Sequence, residues 1–205
     1  MANTEPILLL EDLKMSTVSM SKFELVERFG KVKLRKICKY RINQEYGILF
    51  ECKHKNIVKV FEQDSDFSYL MEYCECGDLN SGEFKGNWSE VSAIFTQMCQ
   101  AVRFLHNKGI CHLDLKLANF VRNYLGTVKL IDFGHASCTQ GLIRKVAGTR
   151  EYNSPERYTG PFNGEKADVF SLGMCLVGLF LGFIPCCIGK QPFVIGSKFR
   201  RNKES

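Results

Sequence analysis

The sequence predicts an α+β fold, with strands dominating before Asn80 and helices after it, and two patterns carry that expectation. From Phe23 the chain alternates apolar and charged residues through Leu34 and Ile37. That period of two sends successive side chains to opposite faces of a strand. Beyond Trp88 the period lengthens: Val91, Ile94, Phe95, Met98, Val102 and Leu105 recur at helical spacing. This is the apolar stripe of an amphipathic helix.

Residues 1–20 read as a variable extension whose one apolar run, Ile7-Leu8-Leu9-Leu10, is flanked by acidic residues and does not resemble a secretory signal. After the first strands a helix is expected over Gln44–Lys53. "NIVKVFE" at 56–62 and "FSYLMEY" at 67–73 read as two further strands. Gly77, Asn80, Gly82 and Gly86 then mark a connection. Ser89 is placed to cap the long helix and Gly109 to close it. A polar loop runs to Glu156, and a second helix begins near Asp168. No internal repeat breaks this order.

Of 205 residues, 45% are hydrophobic and 24% charged, a balance that supports a packed core and excludes global disorder. The net charge of +6 favours acidic or phosphorylated partners but is too small to mark a nucleic-acid binder, so no specific nucleic acid is expected. The ten cysteines lack the paired CxxC spacing of a zinc site; Cys74-Glu75-Cys76 and Cys186-Cys187 are the closest approaches. Reduced thiols in a cytoplasmic protein are the expectation.

The chemistry concentrates in "ICHLDLKLANFVRNYLGTVKLIDFG", residues 110–134. Asp114, Lys116 and Asn119 sit close together, and Asp132 follows the turn signal Tyr124-Leu125-Gly126. Acceptor oxygens between the strand-like runs Phe120-Val121 and Val128–Ile131 suit hard cations and phosphates.

Six motifs, in order over residues 22–185, resemble the eukaryotic-type Ser/Thr protein kinase family. "HKNIVKV" at 54–60 is similar to the strand after the regulatory helix, and "MEYCECGDL" at 71–79 to the hinge. "HLDLKLAN" at 112–119 resembles the catalytic loop, H-R-D-L-x-x-x-N, and "DFG" at 132–134 the metal-binding triplet. "GTREYNSPE" at 148–156 resembles the end of an activation segment, and "KADVFSLGMCL" at 166–176 the start of the central helix.

The resemblance implies a bilobal protein kinase-like fold with ATP and Mg2+ as cofactors. Asp114 would orient the substrate hydroxyl and accept its proton, and Lys116 would contact the transferred phosphoryl group. Asn119 and Asp132 would hold Mg2+. The main chain at Glu72 and Cys74 would bind adenine. Gly30 and Val32 would remain from the glycine loop, Arg35 or Lys36 would replace the strand lysine, and Glu45 would be the helix glutamate.

The chain departs from the family at several positions. Leu25 and Glu27 stand where the first two loop glycines belong, and their side chains obstruct close approach of phosphates. Val32 cannot serve both the glycine loop and the lysine strand, so a strand is expected to be missing. Leu113 replaces the arginine that reads a phosphorylated activation loop. The domains are therefore read as an extension (1–20), a reduced N-lobe with hinge (21–74), a C-lobe truncated after its central helix (75–189) and a basic tail (190–205). Truncation would leave Glu156 without its family arginine, facing another partner or water.

Residues 169–189 carry no charge. They are read as a C-lobe helix with an incompletely covered face, in preference to a membrane span, and self-association or docking on another protein is expected through Leu179, Phe180, Phe183 and Ile184. Three functions follow: a Ser/Thr protein kinase acting on a protein substrate, which is favoured, a pseudokinase that binds a partner kinase or substrate, or a membrane-associated adaptor built on the same fold.

Overall fold

The computed structural model describes residues 24–29, 32–36, 39–65, 68–81, 84, 87–138, 141–144 and 147–184. The expected extension, Gly30 and the basic tail lie outside the described residues. Alternation in the first segment yields β1 (Glu24–Phe29) and β2 (Val32–Lys36), an antiparallel pair with Phe29 opposite Val32 and an irregularity between Leu25 and Arg28. β3 (Val60–Ser65) and β4 (Ser68–Glu72) complete a four-stranded sheet of order β1-β2-β4-β3.

The run expected as one strand at 56–62 divides. Ile57 bridges to Leu130, and the Val58 N–H bonds the Leu130 carbonyl at 3.0 Å, so only Val60 onward joins the sheet. Helix α1 (Lys39–Glu51) begins five residues earlier than expected. It has no acidic first turn and no basic last turn, so its ends carry no charge signal.

Helix α2 (Trp88–Asn107) buries the stripe read from sequence: Val91, Ile94, Met98, Val102 and Leu105. Its cap is Asn87, not Ser89. The Asn87 side-chain oxygen accepts the Glu90 N–H at 3.2 Å, and its amide donates back to the Glu90 carboxylate at 3.1 Å. Gly109, at φ 68°, then turns the chain into β5 (Ile110–Cys111). β6 (Phe120–Arg122) and β7 (Val128–Leu130) form a hairpin across the Tyr124-Leu125-Gly126 turn. β8 (Ser137–Cys138) pairs with β5, and β9 (Leu142–Ile143) with β10 (Phe162–Asn163).

Helix α3 (Gly164–Leu181) starts at an Asn163 cap and ends at Gly182, whose φ of 75° leaves the helix. Leu172, Met174, Cys175 and Leu179 bury into the main core with α2, Phe120, Leu130 and Phe133. The packed reading of this segment is the one the fold adopts, and no described helix is long and apolar enough to cross a membrane. Leu179 is buried and is thereby removed from the expected contact face. Phe180 remains 41% exposed, edge-on to the Trp88 ring at 5.6 Å. Residues 185–189 lie outside the described residues. Glu156 is exposed to water, one of the two outcomes expected for it.

A smaller apolar cluster gathers Cys111, Leu113, Ile143, Phe162 and Ala167 around the β9–β10 pair. The described cysteines Cys52, Cys74, Cys76, Cys99, Cys111 and Cys175 are all free.

Candidate active site

The loop from His112 to Asn119 hangs from a single carboxylate. Asp168 of α3, fully buried, accepts the His112 N–H on Oδ2 and the Leu113 N–H on Oδ1, each at 2.8 Å. His106 Nε2 approaches the same Oδ2 at 3.0 Å. Charged acceptors make the stronger class of hydrogen bond. These bonds hold Leu113 at φ 66°, a left-handed conformation rare for a branched side chain. Its side chain is buried in the smaller apolar cluster.

The same loop fixes the next residues. The Asp114 N–H donates to His112 Nδ1 at 3.3 Å, while His112 Nε2 lies 3.2 Å from the Ile131 carbonyl. The tautomer carrying its proton on Nε2 satisfies both. The ring edge then packs on Phe133, with centroids 5.0 Å apart.

Asp114 is only 5% exposed, yet its carboxylate is densely solvated by protein donors. Oδ1 accepts the Thr149 N–H at 2.7 Å and the Thr149 hydroxyl at 2.8 Å. Oδ2 accepts Lys116 Nζ at 3.0 Å. Burial alone would raise the pKa of this group. The hydrogen bonds from Lys116 and Thr149, with the Lys116 charge, outweigh it and hold the carboxyl below its usual value. Lys116 Nζ also reaches the Thr149 hydroxyl at 2.9 Å, closing the triangle.

Asn119 donates its amide nitrogen to the Asp114 carbonyl at 2.8 Å. Among the described residues its amide oxygen meets no donor. The Asn119 carbonyl accepts the Ile131 N–H at 2.9 Å, which ties the loop to the chain entering Asp132. Asp132 is itself at φ 63° and accepts the Gly134 N–H at 3.4 Å. An amide oxygen and a carboxylate of this kind suit Mg2+, which takes few protein oxygens and completes its shell with water and phosphate.

Glu45 arrives from α1, 1% exposed. Its Oε1 accepts the Phe133 N–H at 3.0 Å and the Tyr69 hydroxyl at 3.1 Å, linking helix, sheet and the Asp-Phe-Gly segment. Val32 lies in β2, the strand that leads into α1, opposite Glu72; this is a strand position, not a loop position. Arg35 is opposite Tyr69 and Lys36 opposite Ser68. At the hinge, the Glu72 N–H is taken by the Lys59 carbonyl at 2.8 Å. Burial, then the Glu72 charge, pushes the Cys74 thiol up to about 12, which leaves it protonated and unreactive.

Three partners in this geometry were not singled out as site residues from the sequence: Thr149, Asp168 and Arg157. Arg157 is 1% exposed and donates to the Leu113 carbonyl at 2.8 Å and to the Asn153 side chain. Arg157, placed among exposed neighbours, offered no sequence signal.

This arrangement of sheet, hinge, catalytic loop and Asp-Phe-Gly segment defines a protein kinase domain. The family model for that domain matches residues 22–200, and the chain belongs to the family. It is 35% identical over 156 residues to CBL-interacting protein kinase 12 of Oryza sativa subsp. japonica, covering 70% of this chain and 29% of that protein. It is 35% identical over 155 residues to CBL-interacting serine/threonine-protein kinase 19 of Arabidopsis thaliana, covering 70% and 32%. The chain thus spans about a third of the length of the curated relatives it matches.

Proposed function

We propose that this chain is a Ser/Thr protein kinase working at the slow end of its family. The observation that carries the reading is the buried Asp114 carboxylate, kept anionic by Lys116 and Thr149 beside the free acceptor face of Asn119. Mg-ATP supplies the phosphoryl group and, through the metal, neutralises charge as it moves. Asn119 and Asp132 are the ligands assigned to the metal. Asp114 orients the substrate hydroxyl through Oδ2 and takes its proton, and Lys116 meets charge on the moving group. A carboxyl of depressed pKa is a weak base, which suits orientation first and proton transfer late.

Adenine falls to the Glu72 carbonyl and the Cys74 main chain. Arg35 is preferred to Lys36 as the phosphate cation because its register partner is Tyr69, whose hydroxyl already reaches Glu45. A protein substrate or a partner kinase is the proposed partner. Val169 and Phe180 are the exposed apolar residues of α3 available for self-association.

One observation favours the pseudokinase instead. Leu25 and Glu27, which stand where the family has the first two glycines of its phosphate loop, lie within strand β1. Radiolabel transfer from ATP to a Ser/Thr peptide, with wild type against Asp114→Asn, separates the two. Turnover roughly tenfold below the family range of about 1–100 s⁻¹, abolished in the variant, supports the kinase. Equal incorporation in both proteins would overturn it.

A further inference from the structure

A cavity of about 630 Å³ opens between the end of α1, the turn after it, β3, the end of β4 and β7. No catalytic-loop residue lines it. Its size falls in the range of about 300–1,000 Å³ typical of ligand sites. The floor is apolar and buried: Leu49, Cys52, Ile57 and Val60. The walls are two exposed phenylalanines, and each carries a cation. Lys53 Nζ stands 5.5 Å from the centroid of Phe50, and Lys59 Nζ 4.9 Å from that of Phe61.

Charge in this cavity is one-sided. Its lining holds four lysines and one glutamate, Glu72. That carboxylate is already committed to Lys129 Nζ at 2.6 Å and the Lys59 N–H at 3.0 Å. Lys53, Lys55 and Lys59 have no carboxylate partner among the described residues. His54, stacked on Phe104, registers the field: burial, then the Lys55 and Lys129 charges, lower its proton affinity.

We propose that this cavity docks an acidic peptide segment of a partner protein, with one bulky apolar side chain seated between Phe50 and Phe61 and carboxylates on either side of it. Cations on both walls call for anions flanking the apolar group. An extended peptide supplies that, whereas an amphiphile with a single head does not. The cavity shares Glu72 with the hinge but no residue with the catalytic loop.

The test is fluorescence anisotropy of a labelled peptide, a central phenylalanine flanked by aspartates, titrated with the full chain. Binding should saturate, weaken on the order of tenfold in Lys53→Glu/Lys55→Glu, and weaken with added salt. The Mg-ATP thermal shift should be unchanged in that variant. A peptide with serine at its centre should bind far less. Equal binding of the serine peptide, wild-type binding by a folded Lys53→Glu/Lys55→Glu protein, or no saturable binding would each overturn the proposal. So would displacement by decanoate without peptide binding, which would assign a small amphiphile. A dimer dispersed by the same variant, with no peptide binding, would assign a second copy and also overturn it.

Discussion

Thr149 grips one oxygen of Asp114 twice, with its N–H at 2.7 Å and its hydroxyl at 2.8 Å. The residue that closes the activation segment therefore sets the orientation of the proposed base. Thr149→Val keeps the shape and the N–H bond but removes the hydroxyl donor. Hydrogen bonds to charged groups contribute about 1.5–3 kcal/mol to stability, so Tm should fall by several degrees, and kcat should fall at least roughly tenfold as the carboxylate loses its fixed orientation. Steady-state kinetics beside a melting curve check this.

The same carboxyl has a signed pH dependence. Its folded pKa is depressed, so its contribution to stability is present above the unfolded value of about 3.9 and is lost as pH falls through the lower folded value. The Tm difference between wild type and Asp114→Asn should therefore shrink on acidification below about pH 4. A difference that stayed constant would mean the Asp114 bonds do not stabilise the anion.

Nucleotide should raise Tm only together with magnesium. A ligand at about 100 times its dissociation constant stabilises the folded state by about 2.7 kcal/mol. Asp132→Ala and Asn119→Ala should each remove the magnesium-dependent part of the shift, read by thermal scan. No shift in the wild type at millimolar Mg-ATP would sink the metal assignment.

Leu113 packs with Ile143 and Phe162, so apolar contact holds β9 and β10 against the catalytic loop. Phosphatase treatment should leave activity unchanged, because no cation stands at this position to read a phosphate. Leu113→Ala should destabilise by about 2–5 kcal/mol in urea unfolding. Activity that vanished with phosphatase would show that another residue reads the loop.

The periodic parts of this fold were legible because their cause is local. The α2 stripe and the β6–β7 turn are written in adjacent residues, and the catalytic loop and Asp-Phe-Gly segment are contiguous motifs. Most of what was missed depends on distant partners. Ile57 and Val58 left their expected strand for Leu130, some seventy residues away. One miss was local instead: Asn87 outcompeted Ser89 as a cap because Glu90, only three residues on, could return its bond. The apolar home of Leu113 required β9 and β10 to meet, which no local pattern announces.

The suspension of the catalytic loop from Asp168 has a consequence for motion. The His112 and Leu113 amides belong to a loop by shape, but their only release is withdrawal of a buried carboxylate carried by α3. Loops ordinarily open at little free-energy cost, whereas core helices open only near global unfolding. In hydrogen–deuterium exchange these two amides should keep the pace of α3, so the segment nearest the chemistry would be among the last to take up solvent deuterons.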